Sequence, residues 1–166
     1  MSDILLVEKN EYDIEFILEA FGVFDLADKI TVVRDGGEAL DYLLEDRRNL
    51  GSNCHRQPKL ILLELNLPKV DGFEVLKRIR ADEKTKTIPV IVFTSSTEDK
   101  DKMESYRLGA NLYVIKPASH DEFVKTATEI GFYWMVMNTP LLKQKPSVRK
   151  SSACPGGSSF PLEHQA

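Results

Sequence analysis

Residues 4–10 read Ile4-Leu5-Leu6-Val7-Glu8-Lys9-Asn10, four aliphatic side chains in succession that end abruptly in charge. A short aliphatic run bounded by polar residues predicts a central parallel strand buried on both faces, because a half-exposed strand would alternate. Downstream, Ile14, Ile17, Leu18 and Phe21 recur at three- and four-residue spacing. Asn10 is placed to cap the start of that helix and Gly22 to close its end. Residues 4–22 therefore form one β-α unit.

The same alternation repeats along the chain. Strands are predicted at Ile30–Val33, Leu60–Leu63, Val90–Phe93 and Leu112–Ile115, and helices at Gly37–Leu44, Phe73–Arg80, Glu98–Leu108 and Asp121–Met137. Strands and helices in strict alternation imply a parallel sheet with right-handed crossovers and helices on both faces. The expected fold class is α/β, a doubly wound five-stranded sheet with five helices, which places ligands beyond the carboxyl ends of the strands. Residues 1–139 make up this domain. The connection from Glu45 to Pro58 is longer and more polar than the rest, and residues 140–166, rich in Lys, Ser, Pro and Gly, read as a flexible tail.

Composition narrows the function. The 166 residues carry 22 Lys+Arg against 26 Asp+Glu, with 42% hydrophobic and 29% charged residues, the profile of one domain with a real core. No apolar run approaches the roughly 18 residues of a membrane helix, and no basic segment precedes the first strand, so neither a membrane nor a secreted protein is expected. A net charge of -4 without a basic stripe in the domain argues against a nucleic-acid surface. Cys54 and Cys154 match no metal or CxxC spacing and read as incidental thiols of a cytoplasmic protein. His55 and His120 have no ligand partners at metal spacing and read as solvated, and Glu98 to Lys102 reads as an exposed helix face.

Chemistry should gather where the strands end. Glu8 and Lys9 follow the first strand, Glu64 to Asn66 the third, Thr94 and Ser95 the fourth, and Lys116-Pro117 the fifth. Two carboxylates, two ammonium groups and a hydroxyl would meet at one edge. The order Ile-Leu-Leu-Val-Glu-x-Asn, Leu-x-Leu-Pro-x-x-Asp-Gly, Thr-Ser and Lys-Pro resembles the receiver domain of two-component response regulators over about residues 3 to 138. The long polar loop, Ala110-Asn111-x-Tyr113-Val114-x-Lys116-Pro117 and the aromatic Phe132-Tyr133-Trp134 are similar to the small stand-alone regulators that partner cyanobacterial phytochrome histidine kinases.

The resemblance implies an aspartate after the third strand that accepts a phosphoryl group from a kinase histidine, with an acidic pair after the first strand holding Mg²⁺. It puts Glu64 at the acceptor position and Glu8 and Lys9 at the acidic pair. It makes Asn66 a metal ligand through its carbonyl, sets Thr94 and Lys116 on the phosphoryl oxygens, and makes Thr94 and Tyr113 the switch. It also implies a cis Lys116-Pro117 bond. Phe132 to Met137 are apolar in succession, more than one stripe can hide against a single core, and read either as deep packing at the domain edge or as a homodimer interface with Phe132, Trp134 and Met135. The resemblance favours pairing through the fourth helix, fifth strand and fifth helix.

Two positions depart from that pattern. The additional methylene of Glu64 pushes its carboxylate out by about 1.5 Å. Phosphoryl transfer is nearly all positioning, so this displacement matters. Lys9 replaces a metal-binding carboxylate, leaving Glu8 and Glu64 balanced by Lys9 and Lys116, a formally neutral site with little to offer a hard divalent cation. The expectation is a receiver without a resident metal and with impaired phosphorylation. The Lys9 ammonium could sit where Mg²⁺ would and pair with Glu64, an attraction of roughly 4 kcal/mol at about 4 Å and an effective dielectric near 20 before desolvation. If Glu64 also reaches Thr94 and Lys116, it would imitate part of a phosphorylated state.

Plainer readings stand beside these. Thr94 and Ser95 alone would read as helix caps, Tyr113 as a core aromatic, and Lys116-Pro117 as a turn. A flavodoxin-like cofactor binder would need a glycine-rich loop where Glu8-Lys9-Asn10-Glu11 stands. A hydrolase built on Glu64 with Lys9 or Lys116 finds no Ser/His/Asp or Cys/His set beside it. The expected output is protein contact, since the chain leaves no room for an effector domain.

Overall fold

The computed structural model describes residues 3–45 and 57–138. The polar connection with Cys54 and His55, and the tail with Cys154, lie outside the described residues. Five strands form one parallel sheet in the order β2-β1-β3-β4-β5: β1 Ile4–Val7, β2 Ile30–Val33, β3 Leu60–Leu63, β4 Val90–Thr94 and β5 Leu112–Ile115. The helices are α1 Glu11–Gly22, α2 Gly36–Leu44, α3 Gly72–Ala81, α4 Asp99–Arg107 and α5 His120–Asn138. A 3-10 turn at Ala27–Lys29, three residues without periodicity, was not foreseen from the sequence.

Every residue of β1, β3 and β4 is buried, as their unbroken aliphatic runs require, whereas β2 and β5 at the sheet edges are partly open. One apolar layer joins one sheet face to α2 and α3, and another joins the opposite face to α1 and α5. The helix starts follow from local chemistry. The Asn10 side chain accepts from the amides of Tyr12 and Asp13, Asp35 from Glu38, and Asp71 from Glu74.

Register aligns the functional ends. Val7 pairs with both Val33 and Leu63, Leu63 with Val92, and Thr94 with Ile115, so Glu8, Glu64, Thr94 and Lys116 emerge along one edge. The chain leaves β1 toward β2 and then returns to β3 on its other side, which makes the β1/β3 gap the switch point where such sheets bind ligands. Two glycines let loops close over this edge. A Cβ at Gly36 would stand 1.9 Å from the Val70 carbonyl oxygen, and one at Gly72 would stand 2.5 Å from the Glu64 carbonyl oxygen.

Candidate functional site

A cavity of about 610 Å³ opens at the carboxyl edge of the sheet, and Glu8, Asp13, Glu64, Thr94 and Lys116 are among its lining residues. The Lys116 side chain, 5% exposed, enters it from the end of β5. Its ammonium lies 2.5 Å from Glu64 Oε2 and 2.9 Å from Asp13 Oδ2, and it also contacts Glu8 Oε2. Three carboxylates thus share one cation. Burial alone would lower the Lys116 pKa, but the charges of Glu8 and Glu64 reverse that and hold it above the ordinary lysine value. Burial pushes Glu8 up, and Lys116 only partly offsets the effect.

Glu64 is saturated with donors. Its Oε1 accepts from the Leu65 amide at 2.7 Å, the Asn66 amide at 3.1 Å and the Thr94 hydroxyl at 2.6 Å, while Oε2 holds Lys116. The longer side chain lets the carboxylate fold back onto the amides of its own loop, which Gly72 presses close. From Thr94 the contacts continue outward. The Ser96 amide points at Thr94 Oγ1 at 3.4 Å, the Ser96 hydroxyl donates to Asp101 at 2.6 Å, and the buried Tyr113 hydroxyl donates to the Ser96 carbonyl at 2.9 Å. Burial also pushes the Tyr113 phenol up.

Several expectations need correction. Lys9 does not pair with Glu64. It is exposed at the cavity wall, because Glu8 turns inward and the residue after it turns out, and Lys116 takes the carboxylate instead. None of the described peptide bonds is cis, Lys116-Pro117 included; the three carboxylates orient the ammonium without one. Trp134 is not presented to a partner. It falls four residues after Ile130 and seven after Ala127, on the stripe of α5 that meets the core, and is 7% exposed. Phe132 and Met135 are exposed as anticipated. His120 is exposed as expected, with Asp121 at 3.1 Å, Glu19 at 3.5 Å and the Phe16 ring edge-on at 4.5 Å beside it.

Thr94 and Ser95 do not cap α4. Thr94 ends β4 and bonds Glu64, Ser95 is exposed at the cavity wall, and Glu98 precedes the helix with no side-chain cap. Glu98, Asp99, Lys100 and Lys102 are exposed as expected, whereas Asp101 turns inward to Ser96. Asn66 lies at the cavity wall, its amide committed to Glu64. Asp13 was missed altogether. Its signal was its place three residues after the Asn10 cap, in the first turn of a helix whose amino end abuts the site.

The residues present do not fit the divalent cation that the resemblance implies. A hard cation needs several oxygen ligands in near-octahedral array. Here an outward-turned Lys9 stands where the resemblance puts a carboxylate ligand, both Glu64 oxygens already hold donors, and the cation-sized charge among the carboxylates is Lys116. Among the described residues no group of three or more acidic, His or Cys side chains is arranged to hold a metal.

Comparison with known proteins agrees with this architecture. The response regulator receiver domain family matches residues 4–128. A probable methanogenesis regulatory protein, FilR2 of Methanothrix harundinacea, is 42% identical over 135 residues, covering 81% of this chain and 84% of that protein. Response regulator Rcp1 of Synechocystis is 35% identical over 80% of this chain and 88% of its own length. The crystal structure of its Mn²⁺-bound form superposes with a TM-score of 0.69 at 34% identity, covering 79% of this chain and 92% of that one. The phosphorylated cyanobacterial phytochrome response regulator RcpA superposes with a TM-score of 0.74 at 39% identity, over 82% of this chain and 95% of that one. With five parallel strands in the same order of elements and the family match spanning all but the last turns of α5, this chain belongs to the response regulator receiver domain family of two-component systems.

Proposed function

We propose that this receiver works by protein contact within a histidine kinase pathway of phytochrome type, in the cytoplasm, without itself being phosphorylated. The observation that carries the reading is the closure of Glu64 on Thr94 Oγ1 and Lys116 Nζ. A nucleophilic carboxylate must offer a free oxygen to an incoming phosphorus, and both oxygens of Glu64 are engaged with donors. The same contacts hold the two groups that the resemblance assigns to phosphoryl oxygens. A carboxylate brings two oxygens and one charge against three oxygens and nearly two charges, so the imitation is partial.

Glu64, Glu8, Asn66, Thr94 and Lys116 then act as a fixed scaffold, Tyr113 as a packed part of it, and α4 and β5 as a docking face on which Met103, Tyr106 and Ile115 are exposed. Pairing of two copies through α4, β5 and α5, with Phe132 and Met135 on the outer side of α5, belongs to this reading. The test is intact mass after incubation with Mg²⁺ and acetyl phosphate, run beside a Lys9→Asp, Glu64→Asp double variant. A phosphoryl group gained only by the double variant supports the proposal. An acid-stable, base-labile group on the unaltered chain would overturn it and make Glu64 or a neighbour a working acceptor.

A further inference from the structure

At the opposite end of the sheet, beneath the carboxyl half of α5, lies a second cavity of about 660 Å³ with mainly apolar walls. Ile88, Pro89 and Leu112, at the amino ends of β4 and β5, form one side, and Tyr133, Trp134 and Met137 of α5 form the other. Tyr133 and Met137 leave 52% and 64% of their surface uncovered. We propose that this groove is the docking site for residues 140–142 of the same chain, Pro140, Leu141 and Leu142.

The end of α5 and the sequence beyond it carry the argument. The last described residue of α5 is Asn138, one position after Met137 on the groove wall. Pro140 has no amide proton to donate, and proline disfavours helical geometry in the residue before it, so the sequence beyond Asn138 is a poor continuation of a helix. Leu141 follows Asn138 by three residues, a reach of about 10 Å in extended chain, which spans the groove mouth but not a distant surface. The apolar run stops there, since Lys143-Gln144-Lys145 follows. Two leucines behind a proline match a groove with room for a short apolar segment rather than for a helix. Tethering by so few residues holds the segment at millimolar effective concentration, which favours it over a second copy at ordinary dilution. Docking buries Tyr133 and Met137 and sets the direction in which the basic remainder of the chain departs.

Trp134, the only tryptophan in the chain, lines the groove and reports on it directly. In methyl-labelled full-length protein, diluted until sedimentation shows a monomer, nuclear Overhauser effects are expected between a Leu141 or Leu142 methyl and the Trp134 indole. In the Leu141→Ser, Leu142→Ser variant the Trp134 emission should shift to the red. Its acrylamide quenching constant should rise by about twofold, the scale of releasing a covering segment. Contacts absent from the monomer, contacts found only between differently labelled copies, or unchanged quenching in the double variant would each overturn the proposal.

Discussion

Lys116 and Glu64 form an ion pair at 2.5 Å with both side chains nearly excluded from solvent, 5% and 6% exposed, although 52 residues separate them in the chain. A pair so placed is costly to break from one side, because the remaining charge loses its partner but not its burial. Lys116→Met should destabilise the domain by about 3–5 kcal/mol. Burial already raises Glu8, and losing the ammonium raises it further. A carboxyl group raised in the folded state favours folding below its unfolded pKa, and that contribution is lost as pH rises through the folded value. The deficit measured by urea denaturation should therefore be smaller at about pH 5 than at about pH 8. A deficit that does not vary with pH would show that Glu8 is not left charged.

Mg²⁺ should leave the melting temperature of this chain unchanged. The Lys9→Asp, Glu64→Asp variant should respond, gaining about 2.7 kcal/mol when the ion is present at one hundred times its dissociation constant. Differential scanning fluorimetry with Mg²⁺ and with a chelator makes the comparison. A saturable gain in the unaltered protein would mean that Asp13 and Glu8 release Lys116 to admit a metal.

Glycines at three positions should respond in opposite directions to the same methyl group. Gly36→Ala and Gly72→Ala drive a Cβ into the Val70 and Glu64 carbonyls, at 1.9 and 2.5 Å, and should cost about 1–3 kcal/mol each. A Cβ at Gly22 meets nothing within 4 Å at the end of α1, so Gly22→Ala should stabilise by about 0.5–1 kcal/mol. Chemical denaturation of the three variants reads all of this. Gly72→Ala should also disturb the Glu64 contacts, visible as shifted amide resonances of Leu65 and Asn66.

His120 should titrate above the roughly 6.5 of a free imidazole. The hydrogen bond to Asp121 raises it first, burial opposes that, and Glu19 adds to the rise. The groups facing it are Asp121 on its own helix and Glu19 and Phe16 on α1. A raised histidine stabilises the fold fully below its unfolded pKa, and that support fades as pH climbs through the folded value. Two-dimensional NMR of the imidazole gives the midpoint directly. His120→Gln should flatten the stability profile over the same interval, and a midpoint at or below that of free histidine would contradict the α1–α5 contact.

Much of this was legible before any coordinates. The aliphatic runs of β1, β3 and β4 announced strands buried on both faces, and Asn10 announced the start of α1. The edge carrying Glu8, Glu64, Thr94 and Lys116 followed from strand alternation alone. What stayed hidden depends on direction rather than identity. Glu8 and Lys9 are neighbours in sequence and point to opposite sides, so composition could not say which lysine would reach Glu64. Trp134 reads as part of an apolar block until the helical spacing from Ile130 is followed. Asp13 carried only its place in the first turn of α1, three residues after the Asn10 cap, and that place does not say that its carboxylate reaches Lys116.

The span of chain that closes the cluster also orders its assembly. Glu8 is made 108 residues before the lysine that neutralises it, and Glu64 waits for the same residue. Until β5 adds to the edge of the sheet, a nascent or refolding chain holds those carboxylates without their cation, and contacts of such long range form late. Addition of the final strand is then both the completion of the sheet and the discharge of its interior, so a fragment ending before Lys116 keeps the acids and loses the means to bury them.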